Sequence, residues 1–566
     1  MQRNIASDTR HIGVWSAMMH GVSVAIQSPT ARAALAWLDH PAVDRGIGFA
    51  TTEGWEHWSW AQLADAARRV ATGLAEAGAQ PGSAVALVEH TSPLFVAGLY
   101  GAMLAGTTPV PLAPPQLFQP AGHYVVQLGR QLTAVRPAHV VHGPELGDAV
   151  APAAASVGAR ALAIAAHAAS PPASPLAVRP ADLALIQLSS GTTGAARAVC
   201  VPHAALDANI ATIRAWLALK PQDTTASWLP LHHDMGLVGC LLVPAAVGAG
   251  LLVLQTRQFV RDPLRYLRCF HDDGAQLGAI PAFALDHVVR RVAPAALAGL
   301  DLGGCRAIVV GAERIAPAAL ERCETLLAGA GLRAGTLLPA YGLAEATLAV
   351  TGLALGARWR SVHVGAPGAR VVGCGRPLAG VSIDIARGSS ARRVDERIGE
   401  IVVAADSVAD GYRGARPDAP AFASERILRT GDAGFLDDGE LFVLGRLGDG
   451  MKVRGRYVFA EDLEVALSEC GIPLRRVAAL LGHDTGGPTA VAVIENAGDN
   501  SLRQATDVLR RHAEHARIVV VDAPSGTIRR TTSGKARRRE LWSAFVEQRL
   551  AGDIRIHEPA CAGDRL

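Results

Sequence analysis

The feature that most constrains the fold of this chain is a repeated alternation of short apolar runs with amphipathic helical segments. WAQLADAARRVATGLAEAG spaces its apolar residues three or four apart and closes at Gly78, the pattern of a helix with one buried face. AVALVE follows as a short strand and SPLFVAGLYGAMLAG as a second helix. The alternation returns in ALIQLSS before Gly191, in RAIVVGAER with an Ala/Leu-rich helix after it, and in TLLPAYG. Strands this short and apolar, separated by helices, predict parallel α/β layers. The Ala/Pro stretch 151–180 reads as a loop-rich connection between two such layers.

From about Gly373 the texture changes to VSIDIAR, GEIVVA and ELFVLGR, which predict a small antiparallel sheet or barrel. After Arg446 an α+β pattern restarts, and the glycine-rich GRLGDGMKVRG is the natural hinge before it. The expected architecture is therefore α/β. Residues 1–445 form a large body of two parallel βα-layered subdomains and a barrel-like subdomain, and residues 446–566 form a small mobile lobe.

The chain has 566 residues, half of them hydrophobic and only 19% charged, enough to bury a large core. A net charge of +3 with mixed signs leaves no electrostatic footprint for nucleic acid. Arg529–Arg530 and Arg537–Arg539 make a local basic cluster, readable as a solvated face or as a contact for an acidic partner. The cysteines are scattered, without CxxC pairs or histidines at ligand spacing, and the N-terminus lacks the apolar run of a signal peptide. Both point to a reducing, cytoplasmic setting. One uncharged stretch, Gly236 to Leu254, is long enough to cross a bilayer, but Pro244 and its glycines interrupt it and HHD abuts it. It reads as a buried helix leading into a buried strand, with no membrane span.

Five local motifs carry candidate chemistry. Ser190-Gly-Thr-Thr-Gly194 with Arg197 follows a predicted strand; glycines and hydroxyls there make either a nest for phosphate oxygens or a simple flexible turn. It is not a P-loop, since GxxxxGK[ST] is absent. In Trp228-Leu-Pro-Leu-His-His-Asp-Met-Gly236, the polar trio is compatible with a catalytic base, a metal site or a structural cluster. Tyr341 and Gly342 precede Glu345, so a ring able to stack on a base stands four residues from a carboxylate able to hold Mg²⁺. Asp432, in RTGD, can accept both hydroxyls of a ribose, with Arg446 closing over it. Finally, Lys535 stands among arginines in IRRTTSGKARRRE, although only Lys220, Lys452 and Lys535 are lysines among 54 Lys plus Arg.

Taken in order, these motifs resemble the adenylate-forming superfamily of acyl-CoA synthetases, nonribosomal-peptide adenylation domains and luciferases. The resemblance runs from about Trp58 to Arg539. SWLPLHHDMGLVG, GAER, AYGLAEATL, CGRPL and TGDAGFLDDGELFVLGR are most similar to fatty acyl-AMP ligases. It implies activation of a fatty acid by ATP with Mg²⁺, then transfer to the phosphopantetheine of an acyl carrier protein. It further implies that Ser190, Gly191, Thr192, Thr193, Gly194 and Arg197 hold the ATP phosphates. Gly311, Ala312 and Glu313 would line the adenine with Tyr341 and Gly342, Asp432 and Arg446 would grip the ribose, and Glu345 would hold Mg²⁺. His233 would meet the acyl carboxylate, Trp228, Gly236 and Phe283 would face the acyl chain, and Asp449 would be the hinge.

Lys535 would be the catalytic lysine of this resemblance. An acyl carboxylate and the α-phosphate of ATP repel as they approach, and a compact ammonium fits between them where a broad guanidinium would hold them apart. The chain also departs from the pattern: Ala196-Arg197-Ala198 replaces Pro-Lys-Gly, and Gly448 replaces the lysine before the hinge Asp. Tyr457-Val-Phe-Ala460 replaces Asn-His-Tyr-Pro, and residues 351–372 are shorter than the insertion that restrains the last lobe in such ligases. The alternatives are an acyl-CoA synthetase using CoA as acceptor, and a binding protein without turnover.

Overall fold

The computed structural model describes residues 33–115, 121–167, 183–190, 196–364, 370–386, 397–414, 422–424, 426–453, 456–484, 487–530 and 534–558. The alternating pattern builds two parallel layers. Thr108–Leu112, Ala84–Val88, His139–His142 and Arg160–Ala163 form a four-stranded sheet in that order, with every pairing parallel. A nine-stranded sheet has a parallel centre of Gly46–Ala50, Gly250–Val253, Thr224–Ser227, Leu277–Pro281, Ala307–Gly311 and Leu337–Gly342. Antiparallel strands close both of its edges.

The large sheet is covered on both faces, which is why its strands read as continuous apolar runs. Neighbouring residues alternate between two apolar clusters: Leu251 and Leu338 belong to one, Leu252 and Leu337 to the other. The first long helix, Trp60–Glu76, starts where Ser59 and Gln62 exchange reciprocal capping bonds. It then buries Leu63, Ala67, Val70 and Leu74 at helical spacing.

The stretch 151–180 differs from its expected loop. Its first part continues the helix Gly147–Ser156 and supplies the edge strand Arg160–Ala163, so it completes the smaller sheet before any connection begins. Alanine favours helix and buries well, and Pro152 does not break the helix. The uncharged stretch from Gly236 is a π-helix, Met235–Leu242, continued by the helix Val243–Val247 and the strand Gly250–Val253. Gly248, at φ 68°, ends the helical part. Among the described residues no helix is long and apolar enough to cross a membrane.

Beyond residue 373 the short strands form a five-stranded antiparallel sheet from Val381–Ala386 to Glu440–Arg446. The chain then passes the single turn Leu447–Asp449 into the hairpin Gly450–Val453 and Arg456–Phe459. The last part is a four-stranded sheet with the helices Ala460–Glu469, Asp499–His512 and Arg538–Val546, around apolar clusters of its own.

Candidate active site

Parallel strands leave their carboxyl ends along one edge of a sheet, and an open α/β sheet binds its ligand in the crevice beyond them. Here that crevice is a cavity of about 440 Å³, roofed by the last lobe. It brings together Arg197, His233, Gly311, Ala312, Glu313, Tyr341, Gly342, Glu345, Asp432, Arg446, Asp449 and Lys535. Residues more than 330 positions apart in sequence thus share one wall system, as their motifs anticipated.

Each group is set by local geometry. Ser189 pairs with Arg197 and Ser190 with Ala196 across an antiparallel ladder; Gly191 to Gly194 and the Ser190 side chain lie outside the described residues. Ala312 takes φ 68° at the end of its strand, a left-handed turn that redirects Glu313 and Arg314 towards the last lobe. Gly342 admits no side chain, because a Cβ there would stand 2.0 Å from the Leu348 carbonyl oxygen.

Glu345 is 8% exposed, and its Oε1 accepts from Tyr412 Oη at 2.8 Å and Ser189 Oγ at 3.3 Å. Arg197 donates to the same Tyr412 hydroxyl at 3.4 Å and lies over its ring. Sequence reading missed Tyr412: it sits in a turn-rich stretch with no motif, and only tertiary pairing of Gly411–Tyr412 with the strand Ala196–Pro202 brings it in. Burial, with Glu345 beside it, pushes its phenol up to about 12.

Asp432 and Arg446 face each other across a hairpin, with Arg446 Nε 2.8 Å from Asp432 Oδ1. Tyr341 Oη donates to the other oxygen, Oδ2, at 2.7 Å. In the HHD trio, His233 Nδ1 lies 2.6 Å from Asp234 Oδ1, and Asp234 also caps Met235 at the start of the π-helix. Burial alone would raise the Asp234 carboxyl, but His233, the Met235 N–H and the charge of Lys535 hold it below the usual range. Burial drives its neighbour His232 down to about 3, so that ring is neutral.

Lys535 is exposed on the cavity side of the loop that follows Gly534, a glycine at φ 86°. Its charge reaches Asp234 on one wall and Glu313 on another. Burial raises Glu313 to about 7 against Lys535 and Arg530, and its Oε1 has no hydrogen-bond partner.

Three expected positions lie off this wall. Trp228 stacks on Phe259 at 3.8 Å with parallel rings, and Phe283 meets Trp228 edge-on, so both belong to a packed aromatic core. Gly236 lets the π-helix lie against its own approach, since a Cβ would be 2.4 Å from the Pro230 carbonyl oxygen. The apolar side chains and glycine that line the cavity instead include Ile213, Trp216, Gly239, Cys240, Val243 and Leu277. These residues lie on four elements whose texture is ordinary core, which hid them in the sequence.

Known proteins resemble this chain over most of its length. The family model described as AMP-binding enzyme matches residues 30–413. A putative acyl-CoA synthetase of Caulobacter vibrioides is 31% identical over 90% of this chain and 96% of its own length. The long-chain-fatty-acid–AMP ligase FadD23 of Mycobacterium tuberculosis is 33% identical over 63% of this chain and 68% of its own. A solved structure from work on fatty acyl-adenylate ligases of E. coli and L. pneumophila superposes with a TM-score of 0.82 at 28% identity, over 92% of this chain and 98% of that one.

Proposed function

Because the chain belongs to the family of AMP-binding enzymes, we propose that its cavity joins a fatty acid to the AMP of ATP, and that the acyl group then passes to a carrier-protein thiol. The observation that carries this reading is Lys535, which lines the same cavity as Tyr341 and Asp432 and stands where its charge reaches both Asp234, beside His233, and Glu313. The carboxylate of the acid bonds to the α-phosphorus while the bond to the β-phosphate oxygen breaks and pyrophosphate leaves. A cation at that point offsets the repulsion between the two anions.

The other residues divide the substrate among them. Tyr341 and the Gly311–Glu313 turn suit the adenine, Asp432 and Arg446 the ribose, and Ser190–Gly194 with Arg197 the phosphates. Glu345 fits a Mg²⁺ ligand, because that ion takes one or two carboxylates and completes its shell with phosphates and water. Among the described residues no group of three or more His, Cys, Asp or Glu is placed to hold a metal ion. When bound, Mg²⁺ would neutralise charge on the phosphates. Ile213, Trp216, Gly239, Cys240, Val243 and Leu277 give the cavity lining an apolar component that suits an alkyl chain.

A carrier protein is favoured over CoA by residues 351–372. Val371 shares a buried cluster with Phe459 of the last lobe, and Val362 packs on it, so this short segment does reach the lobe it would restrain. The test is mass spectrometry of the protein with ATP, Mg²⁺, mixed fatty acids and CoA. Acyl-AMP accumulating without acyl-CoA is the expected outcome; acyl-CoA formed at turnover would make the protein a synthetase. ATP and acid bound with no pyrophosphate released would leave a binding protein.

A further inference from the structure

Arg314 has no part in the chemistry above, yet it joins three pieces of the molecule. It follows the left-handed Ala312 at the end of a central strand, so its base is fixed by the large sheet. Its guanidinium donates through Nη1 to the carbonyl of Leu444, in the strand Glu440–Arg446 just before the hinge turn. Its Nη2 lies 2.5 Å from Asp462 Oδ1, in the first helix after the hinge, with side-chain exposures of only 8% and 19%. One planar fork therefore holds both flanks of the turn Leu447–Asp449.

The same helix carries the link onward to the lysine. Glu461 and Glu464, beside Asp462, both accept from Arg538 at 2.7 Å, and Arg538 also donates to the hinge residue Asp449 at 3.1 Å. Arg538 is three residues after Lys535. The acidic start of one helix is thus read by two arginines, one rooted in the body and one at the start of the helix that follows the lysine loop. We propose that Arg314 is a positioning residue: its clasp on Leu444 and Asp462 holds the last lobe in the orientation that presents Lys535 to the cavity. The lobe turns to the thiol-transfer stage only when that clasp opens. This rests on the adenylation reading given above.

Geometry decides the expected size. Displacing a catalytic group by about 1 Å costs on the order of 100-fold. R314A and D462N are therefore expected to slow fatty-acid-dependent exchange of pyrophosphate into ATP by roughly 10- to 100-fold. Acyl transfer from supplied acyl-AMP to a pantetheine thiol should be unchanged or faster, because that stage does not use the clasp. The double variant should be no slower than R314A, as two residues acting as one unit are not additive.

A readout independent of activity uses the ligand-free chain, with spin labels at the exposed positions Arg333 and Arg503 in the body and the last lobe. R314A and D462N should broaden the distance distribution between the labels, and R314K, which keeps the charge without the fork, should narrow it only in part. Equal loss of both half-reactions, additive losses, or an unchanged distance would overturn the clasp. A wild-type chain with no pyrophosphate exchange for any acid would instead refute the adenylation reading, and the label distances would still decide the role of Arg314.

Discussion

At the scale of single residues, the difference between one ammonium and a guanidinium is the sharpest chemical statement this chain makes. Lys535→Arg keeps the charge but spreads it over a plane too wide to sit between a carboxylate and a phosphate. Both Lys535→Arg and Lys535→Ala should lower pyrophosphate exchange by about 10²–10³-fold, the cost of removing one preorganised charge donor. Transfer from supplied acyl-AMP should fall far less; an arginine variant that keeps its exchange rate would remove the argument from shape. Glu313 gives a second test, in stability. Its ordinary value is 4.5 and burial lifts it to about 7. The folded state therefore holds a proton that the unfolded chain has released, and stability falls as pH rises through that window. Glu313→Gln should flatten this slope, leaving the variant more stable than wild type at pH 8, by no more than about 3 kcal/mol. Thermal unfolding from pH 5 to 8 measures it, and parallel curves for the two proteins would count against a buried, uncompensated carboxyl.

At the scale of elements, the proposed function makes the π-helix Met235–Leu242 the place where acid selection would be decided. Gly239 faces the cavity, and a Cβ on it would meet Leu348 Cδ2 at 3.2 Å. Gly239→Leu places branched carbon where an alkyl tail would lie. Each methylene kept away from the apolar lining forfeits about 0.8 kcal/mol, close to fourfold in kcat/KM. Long-chain acids should lose more than short ones in pyrophosphate exchange across a chain-length series; a uniform loss at every length would mean the tail runs elsewhere. This element also marks the limit of what the sequence could tell. Parallel layers, the antiparallel subdomain and the last lobe were legible because apolar periodicity follows directly from burial. Tyr341, Glu345, Asp432, Arg446 and Lys535 could be picked out because short turns tie residue types to a spacing, and the fold sets all five around one cavity. Trp228 and Phe283, expected to face the acyl chain, pack against other rings, since an aromatic ring near a motif can equally be core. The cavity wall at Ile213, Trp216 and Cys240, and the clasp of Arg314 on Asp462, depend on pairings that only the folded chain makes.

At the scale of the whole molecule, the departures in sequence meet at the hinge. Tyr457–Ala460 replaces a family-typical run, and Phe459 from it is 2% exposed, packed with Val371, Phe435, Phe442 and Leu444. Gly450 allows this, because a Cβ there would stand 2.9 Å from the Phe459 ring. The segment that carries Val371 is itself anchored: Arg360 reaches Glu440 at 2.5 Å and Asp437 at 2.8 Å on the hairpin leading to the hinge. Arg370 lies 2.9 Å from Glu321 on the body and also acts on Glu469 of the lobe's first helix. A short segment can thus restrain the lobe through one aromatic contact where a longer insertion would use many. If that contact is what disfavours CoA, Phe459→Ala should release it. A loss of about 1.4 kcal/mol of restraint corresponds to tenfold, so acyl-CoA should appear at roughly ten times the wild-type level. Acyl-AMP formation should fall only modestly, since Arg314 still clasps both sides of the turn. Acyl-CoA at the wild-type level would show that acceptor choice lies in the thiol channel, not in the freedom of the lobe.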